Sequence, residues 1–445
     1  MLNTRNIIII LTVLSLAIHL VPFLAFSPHP LGYDTGFYRR YVAQTFESFP
    51  NAPVPGLGKD ALGPRIFLDL IRLSGLSPDI ALYASYIFLF IMQPVALFFL
   101  TTYFWGRAAG TMAAILFIFS PVQYTAYWFM LFKNALALPL MLAAFLLLEK
   151  GSRFTLPLGI LIAFSHHTTS IIFLLTLIVF AALNREKRNL ALQTFAGTFL
   201  TFLYLHSFFL QEYLNSPVAV FMGRKEYLIL SFPLLILAIF GVKEFILKKP
   251  FSVIAAFSVV TIAFPLFSLP FYERIFIFID VMVIIAAALG FKKIIDNIKN
   301  RRGAVIQLLS VFFIFILSAW LLINTYGRIK NLQPLVSASE IEEFENILAS
   351  IPKNAAILTS TPLAPWIQGW SQNRVFAPGM LYDAHTTQEW VLFLAGSQEE
   401  KIEFLKSFPR PLYIFLSSPE KEDFFANFQG CAEQKSAYLF KYTCN

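Results

Sequence analysis

Charge is scarce in this chain. Only 13% of its 445 residues are Asp, Glu, Lys or Arg, about half of the roughly 25% found in soluble domains. With 57% hydrophobic residues as well, it lacks the polar surface that a water-soluble globule of this length needs. Cysteine is nearly absent, with two residues, Cys431 and Cys444. Neither sits in a C-x-x-C pair or a zinc-spaced Cys/His set, so no thiol-redox or zinc motif is encoded. No convincing repeat of one half of the chain appears in the other, which argues against the internal symmetry common among transporters. A small-residue cleavage site before Pro28 is also missing, and the apolar run Ile7–Phe26 is longer than a signal-peptide core.

What the chain has instead is apolar length. Its 50 phenylalanines fall among repeated runs of about 20 apolar residues, enough for a helix to cross a bilayer. The first span is read at 7–26 with Arg5 on the cytoplasmic side, followed by a long external loop over 27–78. Further spans are expected near 79–104, 108–126, 129–148, 190–210, 226–247, 250–270, 274–295 and 303–326. The stretch Phe154–Leu183 is too long for a typical single span and is interrupted by SHHTTS at 165–170. One tilted helix would leave Arg185, Lys187 and Arg188 outside, whereas two short helices meeting externally at His166 and His167 return those cations to the cytoplasm. The positive-inside rule favours the pair, and short spans are tolerated where they pack against protein. The expected fold is a polytopic α-helical membrane protein of about eleven spans, with the N-terminus inside and the C-terminus outside. Arg224, Lys225 and Arg274 then stand as external exceptions to the charge rule.

Positive charge is concentrated before residue 327, in short loops between spans, where orientation requires it. It therefore implies no nucleic-acid partner. From about 327 the composition turns soluble and slightly acidic. Ser337 and Glu340 have capping-box spacing. Strand-like runs at 355–359, 374–377, 412–416 and 438–442 alternate with helical stretches near 387–408 and 418–427. The alternation predicts a small external α/β domain over 327–445, at roughly 110 residues long enough for its own core. Residues 1–326 form the transmembrane module. The two cysteines flank the last strand; an oxidising exterior permits a disulfide between them, two unpaired thiols being the alternative.

The most polar cluster after the first span is LGYDTGFYRRY at 31–41. It carries Asp34, three tyrosines (Tyr33, Tyr38, Tyr41), Arg39, Arg40, Gly32 and Gly36. A carboxylate and two cations beside aromatic rings at a bilayer edge suit the polar head group of a lipid. Later in the same loop, PRIFLDLIRL at 64–73 has the spacing of an amphipathic helix lying on the membrane, or of a plain connector.

With this loop, the span count, the broken pair of short helices and the external α/β domain, the chain resembles the GT-C class of integral-membrane glycosyltransferases, the protein-mannosyltransferase-like superfamily. The resemblance implies a glycosyltransferase that uses a polyprenyl-phosphate-linked sugar as donor on the non-cytoplasmic face. The acceptor, whether glycan, lipid or protein, is not specified. It implies further that Asp34, the acid of the first loop, is the general base or orients the acceptor. A hydroxyl is a weak nucleophile, and a positioned carboxylate can take its proton as the new bond forms. The alternative is a turn carboxylate, since Asp-Thr-Gly is also good turn chemistry. Some members carry paired acids here; this chain offers only Glu47 and Asp60 as weak seconds.

A lipid phosphate needs cations, and an arginine fork can bind two of its oxygens. Arg274, at the external start of its span, is the first candidate, against an interfacial anchor paired with Glu273. Arg40, Arg39 and Arg65 follow, with Tyr38 beside them. Lys133 and Asn134 are placed about one turn inside a span, where polar groups are costly without a purpose; substrate binding and helix bridging are equally open to them. His166 and His167 are candidates for donor phosphate or acceptor. A divalent metal is not favoured, because adjacent helical histidines point to different faces. Asp280 is read as a helix–helix hydrogen bond, and Tyr127 and Trp128 as aromatic-belt residues. The WIQGW stretch at 366–370 suits a core or sugar stacking. Two non-catalytic roles, a lipid-linked glycan flippase and an envelope assembly subunit, stand as alternatives to the transferase.

Overall fold

The breaks between apolar runs decide where the helices end. The computed structural model describes residues 3–26, 32, 34–43, 62–215, 222–269, 272–300, 304–331, 335–347, 351–371, 373–378, 385–416 and 430–444. The first helices are α1 (Thr4–Phe26), α2 (Thr35–Ala43), α3 (Leu62–Arg72) and α4 (Pro78–Trp105). Then come α5 (Arg107–Ile118), α6 (Pro121–Trp128), α7 (Phe132–Glu149), α8 (Thr155–Ser165) and α9 (His167–Leu183). The bundle continues with α10 (Arg188–Asn215), α11 (Arg224–Lys248), α12 (Val253–Leu266), α13 (Tyr272–Asn300) and α14 (Ala304–Lys330). Gly106, at φ 86°, makes the turn between α4 and α5, a conformation that costs glycine little. Ser120 accepts a hydrogen bond from the Gln123 amide and is followed by Pro121, a cap-plus-proline start that sets α6 at 49° to α5.

Contacts divide the chain into two compact units. A helical unit comprises residues 1–29, 59–67 and 83–332, and a mixed unit comprises 30–58, 68–82 and 333–445. Within the mixed unit, part of the first loop packs with the C-terminal segment.

In the helical unit, α13 is buried along much of its length, with Ile275, Val281, Ile284 and Ala287 fully enclosed. It runs parallel to α11: Tyr227 stacks on Phe276, Ser231 meets Asp280, and Gly241 meets Gly290, the pairs advancing together. A Cβ on Gly290 would lie 1.9 Å from the Leu237 carbonyl oxygen. Small residues thus let the two backbones touch, as membrane helices favour. The helices α8 and α9 form the antiparallel pair that charge placement predicts. Phe173 lies against Gly159, two positions equally distant from His166, and the Ser170 hydroxyl donates to the Ile162 carbonyl.

The outer surface of the unit is apolar, with Ile9, Val13, Leu24, Ile239 and Ile323 largely exposed. Such surface needs lipid, not water, around it. Five described helices (α1, α4, α7, α11 and α13) are long and apolar enough to cross a bilayer, and the bent pair α5–α6 makes a sixth. The protein is an integral membrane protein.

The mixed unit adds α15 (Ala338–Ile347), β1 (Ala356–Leu358), α16 (Ala364–Trp370), β2 (Arg374–Phe376), α17 (Thr387–Ala395), α18 (Gln398–Lys406), β3 (Leu412–Phe415), β4 (Ala432–Gln434) and β5 (Leu439–Tyr442). Its five-stranded sheet has the order β2-β1-β3-β5-β4, parallel through β2, β1 and β3 and antiparallel at β5 and β4. The expected capping box forms at α15, where Glu340 accepts from the Ser337 amide at 2.8 Å. The single helix expected over 387–408 is two, because Ser397 opens a second capping box. β4 is an element the sequence reading did not anticipate, and the helix expected near 418–427 lies outside the described residues. Cys431 and Cys444 form a disulfide that clasps the β4–β5 hairpin. Replacing both cysteines with serine should lower the stability of this domain by about 3 kcal/mol, the cost of freeing a loop of that length, measured by denaturant unfolding in detergent.

Candidate active site

Asp34 immediately precedes α2. Its carbonyl accepts the Phe37 amide at 3.1 Å, so it stands at the helix N-terminus, where the backbone N–H groups favour negative charge. The side chain is half-buried. Neighbours hold α2 along its length. The Tyr41 hydroxyl donates to Asp69 on α3 at 2.6 Å, and Arg72 lies 3.4 Å from the same carboxylate. Arg39 donates through Nε to Asp79, in the first turn of α4, at 2.9 Å, and through a terminal nitrogen to the Gly369 carbonyl at 2.9 Å. Its guanidinium stacks 3.9 Å from the Trp370 ring. Arg39 is thus engaged in holding the fold. Tyr38 is 1% exposed and packs in the interior of this unit, while Arg40 is half-buried. Arg65 sits on α3 with its side chain outside the described residues, as are Tyr33, Glu47 and Asp60.

The helical unit gathers the other candidates. His166 lies at the turn between α8 and α9, its Nδ1 2.8 Å from the Thr169 hydroxyl. That hydroxyl in turn donates to Asn134 Oδ1 at 3.4 Å. The His166 and His167 rings are 4.9 Å apart, and His206 stands edge-on to His167 at 5.9 Å. The charges of Lys133 and Arg274 bear on both His166 and His167. Five of the residues picked from the sequence, Lys133, Asn134, His166, His167 and Arg274, therefore lie near one another, brought together by α7, the α8–α9 turn and α13.

Arg274 is half-buried, and among the described residues no carboxylate pairs with its guanidinium; Glu273 accepts from Tyr272 instead. Arg224, by contrast, is occupied, stacked over Tyr272 and donating to Ser268. His206 was missed by sequence reasoning, although an imidazole in an otherwise apolar helix was a signal. Lys133 is in the first turn of its helix rather than a turn inside, because Met130 takes a positive φ of 51° and α7 starts only at Phe132. Among the described residues, no three His, Cys, Asp or Glu side chains gather to hold a metal ion.

No protein-family model and no curated protein matches the chain. Solved structures do. The archaeal oligosaccharyltransferase AglB from Archaeoglobus fulgidus, in complex with an inhibitory peptide and a dolichol-phosphate, superposes with a TM-score of 0.67. The alignment covers 99% of this chain and 74% of AglB, at 9% identity. ArnT from Cupriavidus metallidurans, bound to undecaprenyl phosphate, gives a TM-score of 0.60 over 99% of this chain and 98% of ArnT, at 12% identity. The arabinofuranosyltransferase AftD from Mycobacteria gives 0.55 over 93% of this chain and 37% of its own, at 15% identity. The fold is that of the GT-C glycosyltransferases.

Within this GT-C fold, two polar knots hold the helical unit. Asp280, fully buried on α13, accepts from the Ser120 hydroxyl at 2.7 Å and from Gln123 Nε2 at 2.9 Å, with Ser231 at 3.5 Å. It is the helix–helix tie expected for it. Tyr127 is not a belt residue. It is 3% exposed, packed among His19, Tyr86, Phe90 and Tyr124, and donates to the His19 carbonyl. Its hydroxyl finds that carbonyl inside the bundle, so the ring turns inward. Asp280→Ala strands the Ser120 and Gln123 donors, and should cost about 3 kcal/mol of stability in detergent unfolding. Asp280→Asn, which keeps one acceptor, should cost less.

Proposed function

We propose that the protein transfers a sugar from a polyprenyl-phosphate-linked donor to an acceptor hydroxyl on the non-cytoplasmic face of the membrane. Asp34 takes the acceptor proton as the glycosidic bond forms, and the lipid phosphate leaves with the bonding electrons. The observation that carries the reading is a first-loop carboxylate at the N-terminus of a firmly held helix, in a chain with the GT-C fold. A base of this kind must be placed within hydrogen-bond reach of the proton it takes, and an anchored helix end meets that need. Two structural neighbours are in complex with a dolichol-phosphate and with undecaprenyl phosphate; the same class of lipid is the donor carrier proposed here.

Arg274 and Lys133 bind the donor phosphate in this reading, with His166 and His167 as hydrogen-bonding partners. Arg40 and Arg65 remain secondary phosphate candidates. The topology that goes with it takes α5–α6 as one bent crossing and α8 and α9 as short ones. With α1, α4, α7 and α10 to α14, this gives about eleven crossings, N-terminus inside and the mixed domain outside. Parallel α11 and α13, antiparallel α8 and α9, and the disulfide of the mixed unit all support that arrangement.

Asp34→Asn should lower turnover by about 100-fold or more, the usual worth of a general base, while donor binding stays within a few-fold. Arg274→Ala should instead raise the donor KM about tenfold, as expected for losing one charge-assisted contact. Steady-state kinetics on purified protein checks both, and undiminished turnover in Asp34→Asn would remove the base from the account.

A further inference from the structure

The contact between α2 and α16 is closer than ordinary helix packing. A Cβ added to Gly36 would lie 1.6 Å from the Pro365 carbonyl oxygen, and one added to Gly369 would lie 2.6 Å from the Gly36 Cα. Backbone rests on backbone there, with no side chain between. Asp34 is two residues before Gly36, and its carbonyl is bonded to Phe37, so the position of its backbone is fixed by this contact. Arg39, one turn further along α2, closes over the end of α16. It joins the Gly369 carbonyl, the Trp370 ring and the Asp79 carboxylate in one half-buried guanidinium. Trp370 is itself braced, stacked 5.6 Å from Trp366 and donating to Glu345 on α15.

We infer that α16 is the seat that positions Asp34, with Gly36, Gly369 and Arg39 as positioning residues, so that the C-terminal segment sets the turnover rate without itself touching the reacting atoms. The inference rests on Asp34 being the base. A general base must be held in productive geometry to work, and a displacement of about 1 Å costs on the order of 100-fold in rate. A methyl group at Gly369 forces a shift of at least that order, because the atoms it meets are backbone and cannot rotate away. The arginine matters for its fork: a lysine at 39 can reach Asp79 or the Gly369 carbonyl, but does not stack on Trp370 in the same way.

The test uses the full-length protein in detergent, with undecaprenyl-phosphate-linked glucose, mannose and arabinose as donors and release of undecaprenyl phosphate as the readout. Gly369→Ala and Arg39→Ala should each lower kcat on the order of 100-fold with the donor KM within a few-fold, and Arg39→Lys should lie between. In an Asp34→Asn background, Arg39→Ala should lower the residual kcat no further, since a residue that acts through Asp34 has nothing left to position. A merely structural residue would cost activity in both backgrounds. A donor-independent measurement accompanies this: amide exchange over 34–43 should accelerate in Gly369→Ala relative to the wild type. Wild-type kcat in both single variants, a full further loss in the Asp34→Asn background, or unchanged exchange would overturn the inference. If Asp34→Asn alone keeps wild-type kcat, the base assignment fails, and the positioning role falls with it.

Discussion

The backbone of α2 lies against the backbone of α16 at Gly36 and Gly369, a spacing at which no side chain fits. The positioning proposed for Asp34 depends on that constraint. It brings residues far apart in sequence together, so that much of the first loop belongs to the same compact unit as the C-terminal segment. Its energetic logic is simple. Side chains can yield by changing rotamer, whereas two touching main chains cannot, so the contact transmits position with little slack. Arg39 then completes the seat with two hydrogen bonds and a ring contact.

The helical unit follows a complementary rule. In an apolar bundle each polar side chain needs a partner, because leaving it unpaired costs more than the bond is worth. Asp280 finds Ser120, Gln123 and Ser231, and His206 bonds the Ala163 carbonyl. Near the α8–α9 turn the bundle holds a cationic group. Lys133 and Arg274 bear on two adjacent histidines, and no carboxylate among the described residues pairs with Arg274. In the proposed reading, that positive charge receives the lipid phosphate of the donor.

Much of this was legible from residue order. Apolar run lengths marked the helices, and the cations at 185–188 argued for two short helices at His166, which the contact between Phe173 and Gly159 bears out. Strand patterning found β1, β2, β3 and β5, each a short apolar run with a residue register of its own. What sequence could not supply were the pairings. Gly36 reads locally as part of a turn, and nothing in WIQGW announces that its glycine is the partner. Arg39 looked like a phosphate ligand because its charge was visible and Asp79 was not adjacent. Tyr127 looked interfacial because its neighbours along the chain are aromatic, whereas its neighbours in space are buried. Each of these was settled by long-range contact, which a pattern read along one chain does not contain.

The central claim is that this chain breaks the bond between a sugar and a polyprenyl phosphate. The direct measurement is donor turnover by the purified protein across a panel of dolichyl- and undecaprenyl-phosphate sugars, with candidate glycan, lipid and peptide acceptors. The account predicts protein-dependent release of polyprenyl phosphate with at least one donor, matched by sugar appearing on an acceptor. Absence of release with every donor and acceptor, from protein shown to be folded, would contradict it.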